Sequence, residues 1–305
     1  MAYPLKLYDD IQMNTTLPQP SNTDSNRLLL KALEKCWRKY SREFKRVRAE
    51  FSNEAVHDLR SATRRILTLI QLLNSISPRQ RLQKLARAFK EQLDAFDDLR
   101  DTQVILAEIS EILHELPALD EFQKQLQADE LKMLRVLRKR LRKWEIAEIA
   151  RRIDKTRLSL ESSPDADLES QILQAVDDAY LLARQRLEWV DPARSSTIHR
   201  IRIAFKAYRY MVEFVHPLLN GFPKENLRKM YEYQFLMGEI QDAEVFAQTL
   251  TDFSESVSIT DPEPVRRYYE NRHAEAISIY LKGMNHLHRF WRPAPDQPFP
   301  WEKTQ

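Results

Sequence analysis

Apolar residues recur every three or four positions along most of the chain, the spacing of helices with one buried face. The first such run includes Leu29, Leu33, Trp37, Tyr40, Phe44, Val47 and Phe51, and a capping signal at Thr23 or Asp24 opens it. The same reading predicts further helices over about 52–76, 78–114 and 119–160. Four more follow, over about 168–190, 192–216, 223–254 and 263–290. Their junctions fall at Ser77-Pro78, Pro117, Pro192, Pro217, Pro223, Pro262 and Pro264, because proline is tolerated at a helix start and not inside one. Residues 1–22 carry no helical period and read as an irregular arm. The segment 293–305, with Pro293, Pro295, Pro298 and Pro300, reads as an extended or disordered tail. The strongest internal break is Glu161–Asp167, which divides a first four-helix half, 23–160, from a second, 168–290.

Composition agrees with an all-α chain. There are 3 glycines in 305 residues, too few for the turns of an all-β fold, and 30% of residues are charged, as helices with one wet face require. No uncharged apolar run is long enough to span a membrane, and the N-terminus lacks the order of a signal peptide. A single cysteine, Cys36, excludes an intramolecular disulfide and a cysteine-based zinc site, as expected of a reducing cytoplasm. The net charge is only +3, so an anion site must come from segregating charge on particular faces.

The two halves are related. Val56-His-Asp-Leu-Arg-Ser-Ala-Thr-Arg64 matches Ile198-His-Arg-Ile-Arg-Ile-Ala-Phe-Lys206, and Phe96-Asp-Asp-Leu-Arg-Asp101 matches Met237-Gly-Glu-Ile-Gln-Asp242. The histidines lie 142 positions apart and the aspartates 141, so two motifs keep nearly one offset. Positions i, i+3 and i+7 share a helix face, which makes His57, Arg60 and Arg64 one stripe of roughly 10 Å. His199, Arg202, Lys206 and Arg209 form its counterpart. Planar guanidinium groups suit phosphate oxygens, and histidine adds a donor whose charged form an anion favours. Any one such face is more often merely solvated, but the repetition of histidine plus base in both halves favours a phosphate ladder. Arg135, Arg138 and Arg142, with Lys139 and Lys143, and the looser Arg27, Lys31, Arg38, Arg42 and Lys45 are further candidates for its lining.

Rival chemistries are also present. Asp94, Asp97, Asp98 and Asp101 share a face able to hold a divalent ion, yet the repeat keeps only Glu239 and Asp242, so pairing with arginines of the preceding helix is the favoured reading. His57-Asp58 forms the dipeptide of some metal-dependent phosphohydrolases, without a second ligand cluster, and Arg200 answers Asp58 in the repeat. No phosphate loop, nucleophile elbow or H-E-x-x-H pattern occurs. Tyr208, Tyr210, Tyr231, Tyr233, Tyr268 and Tyr269 among the bases keep nucleic acid open as a lesser candidate partner.

At these motifs the sequence resembles the CHAD family, the conserved histidine α-helical domain. His57 to Arg65, His199 to Tyr210, Leu99-Arg100-Asp101 and Gly238 to Val245 carry the likeness, which covers about 24–290. The resemblance implies two pseudo-symmetric four-helix bundles and non-catalytic binding of inorganic polyphosphate. It implies a ligand set of His57, Arg60, Arg64, Arg65, His199, Arg202, Lys206 and Arg209; the charge pattern of the basic helix adds Arg138 and Arg142, and no metal or cofactor is expected. Leu67 and Ala207 stand where the family's motifs usually continue with bases. A cytoplasmic protein, associated with polyphosphate granules, is the expected setting. A phosphohydrolase using His57, Asp58 and the Asp94–Asp101 face is the alternative, followed by a helical adaptor for nucleic acid or protein.

Overall fold

The computed structural model describes residues 25–162, 167–256 and 263–302, so the N-terminal arm and its capping signal lie outside the described residues. Within them the fold is all-α, with no strand. The helices are α1 (Ser25–Glu50), α2 (Asn53–Ile76), α3 (Gln80–Asp94), α4 (Asp97–Ile112) and α5 (Asp120–Leu141). They continue as α6 (Ile146–Glu161), α7 (Leu168–Glu188), α8 (Ser195–Val215), α9 (Lys224–Ser256) and α10 (Glu263–Gly283). No described helix is long and apolar enough to cross a membrane.

Two helices expected to be continuous are broken. The predicted 78–114 helix stops at Asp94 and restarts at Asp97, and the predicted 119–160 helix is interrupted between Leu141 and Ile146. Tertiary packing overrides helical propensity at both places. Phe96, at the first break, is buried against Trp144, at the second, with ring centroids 5.8 Å apart. Phe51, which ends α1 in the left-handed region (φ 52°), lies 6.4 Å from Phe96. Three helix junctions of the first half therefore close on one aromatic cluster. In the second half α9 runs straight through the corresponding position, Met237.

The cores do not divide as the repeats do. The larger core joins α1, α2, α3 and α6 to α7, α8 and the N-terminal part of α9. A smaller core is built from Ile105 and Ile109 of α4, Phe122 and Leu126 of α5, Phe246, Leu250 and Phe253 of α9, and Val265 and Tyr269 of α10. Each draws apolar faces from both halves.

The proline-rich tail is neither disordered nor free as far as Glu302. Trp301 stacks on Phe299 at 4.6 Å, Phe299 meets the buried Trp291 edge-on, and the Trp301 indole N–H donates to the Asn220 carbonyl. Burial of three large aromatics outweighs the ordering of a short segment that its prolines have already stiffened. The buried Asp177 of α7 fixes the start of this strap. It accepts from the Trp291 indole at 2.6 Å and from two guanidinium nitrogens of Arg292 at 3.0 and 2.6 Å. Asp177→Ala leaves a cation and an indole N–H without their acceptor, a loss of about 3–5 kcal/mol for a buried pair. Urea unfolding should show a loss of that order, and a change under about 1 kcal/mol would mean that the strap is not anchored there.

Candidate anion-binding site

α2 and α8, the helices that carry the duplicated histidine motif, pack against one another across the middle of the molecule. Their basic residues separate into two sets. The first holds the helices in place. Arg60 is 5% exposed and donates to the Leu93 carbonyl at 2.9 Å, the last turn of α3, and to Asp97 at 2.7 Å, the first turn of α4. Arg65 and Arg209 meet on one carboxylate, Glu213 of α8. Arg65 reaches it at 2.9 Å, and Arg209 pairs with its other oxygen while donating to Gln234 of α9 at 2.9 Å. Both guanidinium groups also lie against the Tyr210 ring, at 5.2 and 4.5 Å from its centroid.

The second set lacks such partners. Arg64 of α2 and Arg202 and Lys206 of α8 are half-buried, and none has a carboxylate at ion-pair distance among the described residues. The Nε of Arg202 is buried without an acceptor. Burial, with Arg60 and Arg202 nearby, lowers Arg64 to about 10. Burial and then Arg64, Arg202, Arg209 and Arg60 push Lys206 well down from its usual range. His57 falls from 6.5 to about 4 through burial and the charges of Arg100, Arg64, Lys206 and Arg60. Each of these groups thus reports the others: the seam gathers cations faster than it neutralises them.

Arg100 of α4 belongs to this cluster although its charge was not assigned to the site from sequence. It donates to Asn53 at the start of α2 at 2.7 Å, and burial and Arg60 lower its pKa. Its repeat counterpart is Gln241 of α9, whose side-chain oxygen accepts a hydrogen bond from His199 Nδ1. The two histidines therefore have unlike neighbours, a cation for His57 and an amide for His199. A second inequality follows the same alignment. Asp97 neutralises Arg60, but the position matching Asp97 is Gly238, so Arg202, the counterpart of Arg60, has no equivalent partner.

The acidic face disperses. Asp94 pairs with Lys90 at 2.6 Å, Asp97 with Arg60, and Asp58 turns to Arg46 of α1 at 2.8 Å. Asp101 and Asp242 lie beside the basic seam, with pKa values raised first by burial and lowered in part by Arg60 and by Arg202, respectively. Among the described residues no three His, Cys, Asp or Glu side chains converge as a metal site. Arg138 and Arg142 are not brought to the α2–α8 seam: they line a separate pocket beside the C-terminal end of α1.

The depressed His57 value has a consequence for folding. An unfolded chain binds the proton near 6.5 and the native chain only near 4, so native stability is full above about 6.5 and falls as the pH drops towards 4. The difference is on the order of 3 kcal/mol at 1.36 kcal/mol per pH unit. His57→Gln should flatten the denaturation free energy between pH 4 and 6.5 relative to wild type. Parallel pH curves for the two proteins would place the titration elsewhere.

The match to the CHAD domain covers residues 31–251. The crystal structure of the CHAD domain from the plant Ricinus communis resembles this chain with a TM-score of 0.63 at 16% identity, over 90% of this chain and 93% of that one. No curated protein matched the sequence. With that match spanning most of its length, the chain belongs to the CHAD-domain family.

Proposed function

We propose that the protein is a non-catalytic binder of inorganic polyphosphate, held at the α2–α8 seam. Arg64, Arg202 and Lys206 contact phosphate oxygens, and His57, His199 and Arg100 border them. Arg60, Arg65 and Arg209 act as positioning residues, because their guanidinium groups are already engaged by Asp97 and Glu213. The observation that carries this reading is the cluster of uncompensated cations facing one another from two helices. An anion between them relieves their mutual repulsion and supplies the acceptor that Arg202 Nε lacks. A base-stacking mode for nucleic acid is less well supported, since Tyr208, Tyr210, Tyr233 and Tyr269 are buried in the cores. The family resemblance points the same way.

The proton linkage follows from the cluster. Bound phosphate raises His57 above its free value near 4, so binding takes up a proton and strengthens as the pH falls through the interval between the two values. That interval lies below the one an ordinary histidine would impose.

Titration with long-chain polyphosphate at several salt concentrations tests the assignment. Arg64→Gln/Lys206→Gln should weaken binding at least about tenfold and lower the salt slope by about 1.4, from roughly 0.7 per charge on a flexible polyanion. Unchanged affinity and slope in this variant would reject the seam as the site. Gly238→Asp gives a complementary prediction: nothing lies within 4 Å of a Cβ added there, and a carboxylate at that position recreates for Arg202 the partner that Arg60 has in Asp97. Affinity should fall several-fold with the helical content intact, and wild-type affinity in this variant would mean that Arg202 does not contact the ligand.

A further inference from the structure

The basic end of α5 forms a second cationic pocket away from the seam. Arg138 of α5 and Arg142, its C-cap, converge with Arg48 of α1 on a cavity of about 420 Å³, also lined by Ala49, Phe51 and Leu141. The two helices contribute their C-terminal turns. Lys132 to Lys143 contain seven bases and no acid, and of these Lys132 pairs with Asp129 one turn earlier on α5 at 2.8 Å. Arg48, Arg138 and Arg142 have no carboxylate at ion-pair distance among the described residues, whereas Arg42 and Arg46 on the same α1 are bound to Glu43 and Glu50. A basic run is usually a solvated face, which keeps its charges apart. Here three guanidinium groups from two helices share one concavity, and one is positioned: Arg138 sits over the Phe51 ring at 5.5 Å. Phe51 is held in turn by its left-handed backbone and by Phe96.

The pocket lies at the N-terminal end of α2, and the seam occupies the turns that follow, from His57 to Arg64. Phe51 is separated from α2 only by its N-cap, Ser52. Asn53, its first residue, accepts from Arg100, which bears electrostatically on His57 one turn further on, about 6 Å of helix rise.

We propose that the Arg48–Arg138–Arg142 pocket is a second anion subsite, engaging a further stretch of the chain of phosphates held at the seam. The inference rests on the polyphosphate reading and adds a chain-length preference to it. A short oligophosphate fills the seam alone. A longer chain reaches the pocket as well, and the second contact is then intramolecular, with a high effective concentration.

The test compares tripolyphosphate with long-chain polyphosphate at one salt concentration. Arg138→Gln/Arg142→Gln removes two exposed charges from the pocket. Arg266→Gln/Arg267→Gln removes two from α10, where both arginines pair with Glu263. The pocket variant should bind tripolyphosphate within about twofold of wild type and lose about tenfold for the long chain, while the α10 variant moves neither by more than about twofold. Arg48→Gln, on the other helix, should reproduce the pattern at smaller size. Long-chain affinity unchanged in the pocket variant, equal losses for both ligands, or equal losses in the α10 variant would each overturn the subsite. Wild type binding both ligands with the pocket variant unaffected rejects the pocket only. Wild type binding neither rejects the polyphosphate reading and the pocket with it.

Discussion

The repulsion among the cations of the α2–α8 seam is the constraint to which the rest of the structure answers. Bringing Arg60, Arg64, Arg65, Arg202, Lys206 and Arg209 onto two contacting helices costs energy that local ion pairs recover only in part. Glu213 is the main compensating group: one carboxylate receives an arginine from each helix and so ties α2 to α8. Asp97 and the end of α3 take Arg60. Of these six, Arg64, Arg202 and Lys206 remain without an ion pair and half-buried, where the reduced dielectric makes each charge more effective than at an open surface.

Holding that repulsion requires stiff supports, and these come from apolar packing. The larger core passes beneath both helices of the seam, with Leu59 and Ile66 of α2 and Ile201 and Phe205 of α8 all buried. The aromatic cluster of Phe51, Phe96 and Trp144 sets where α4 starts, and with it the positions of Asp97 and Arg100. At the far side of α8, the Tyr208 hydroxyl donates to the Phe290 carbonyl, so the C-terminal strap braces the same helix.

Much of this was legible in the sequence. The helical period, the proline junctions and the duplicated motifs indicate an all-α chain and the two helices that meet at the seam. The breaks at Phe96 and Trp144 were not legible, because their local composition is helical and only distant aromatic partners interrupt it. The tail misled for a related reason: four prolines signal an open segment, and the weight of Phe299 and Trp301 depends on a surface formed by other helices. Within the candidate site, the i, i+3, i+7 pattern picked out two helices that pack together but could not separate Arg60, Arg65 and Arg209 from Arg64, Arg202 and Lys206, since the acids that engage the former come from other turns and other helices. The aligned repeat did contain a usable signal. Gly238 opposite Asp97 and Gln241 opposite Arg100 mark where the halves differ in charge, and those differences fall beside Arg202 and His57.

The sharing of both cores between the repeats bears on how such a chain is held together. A half by itself would present the apolar faces of α4 and α5, or those of α9 and α10, to water, with the complementary surface on the other half. Because both halves belong to one chain, this mutual covering is intramolecular and carries no cost in concentration. The division legible in the sequence thus cuts across both cores, and the apolar faces of one half are covered by those of the other.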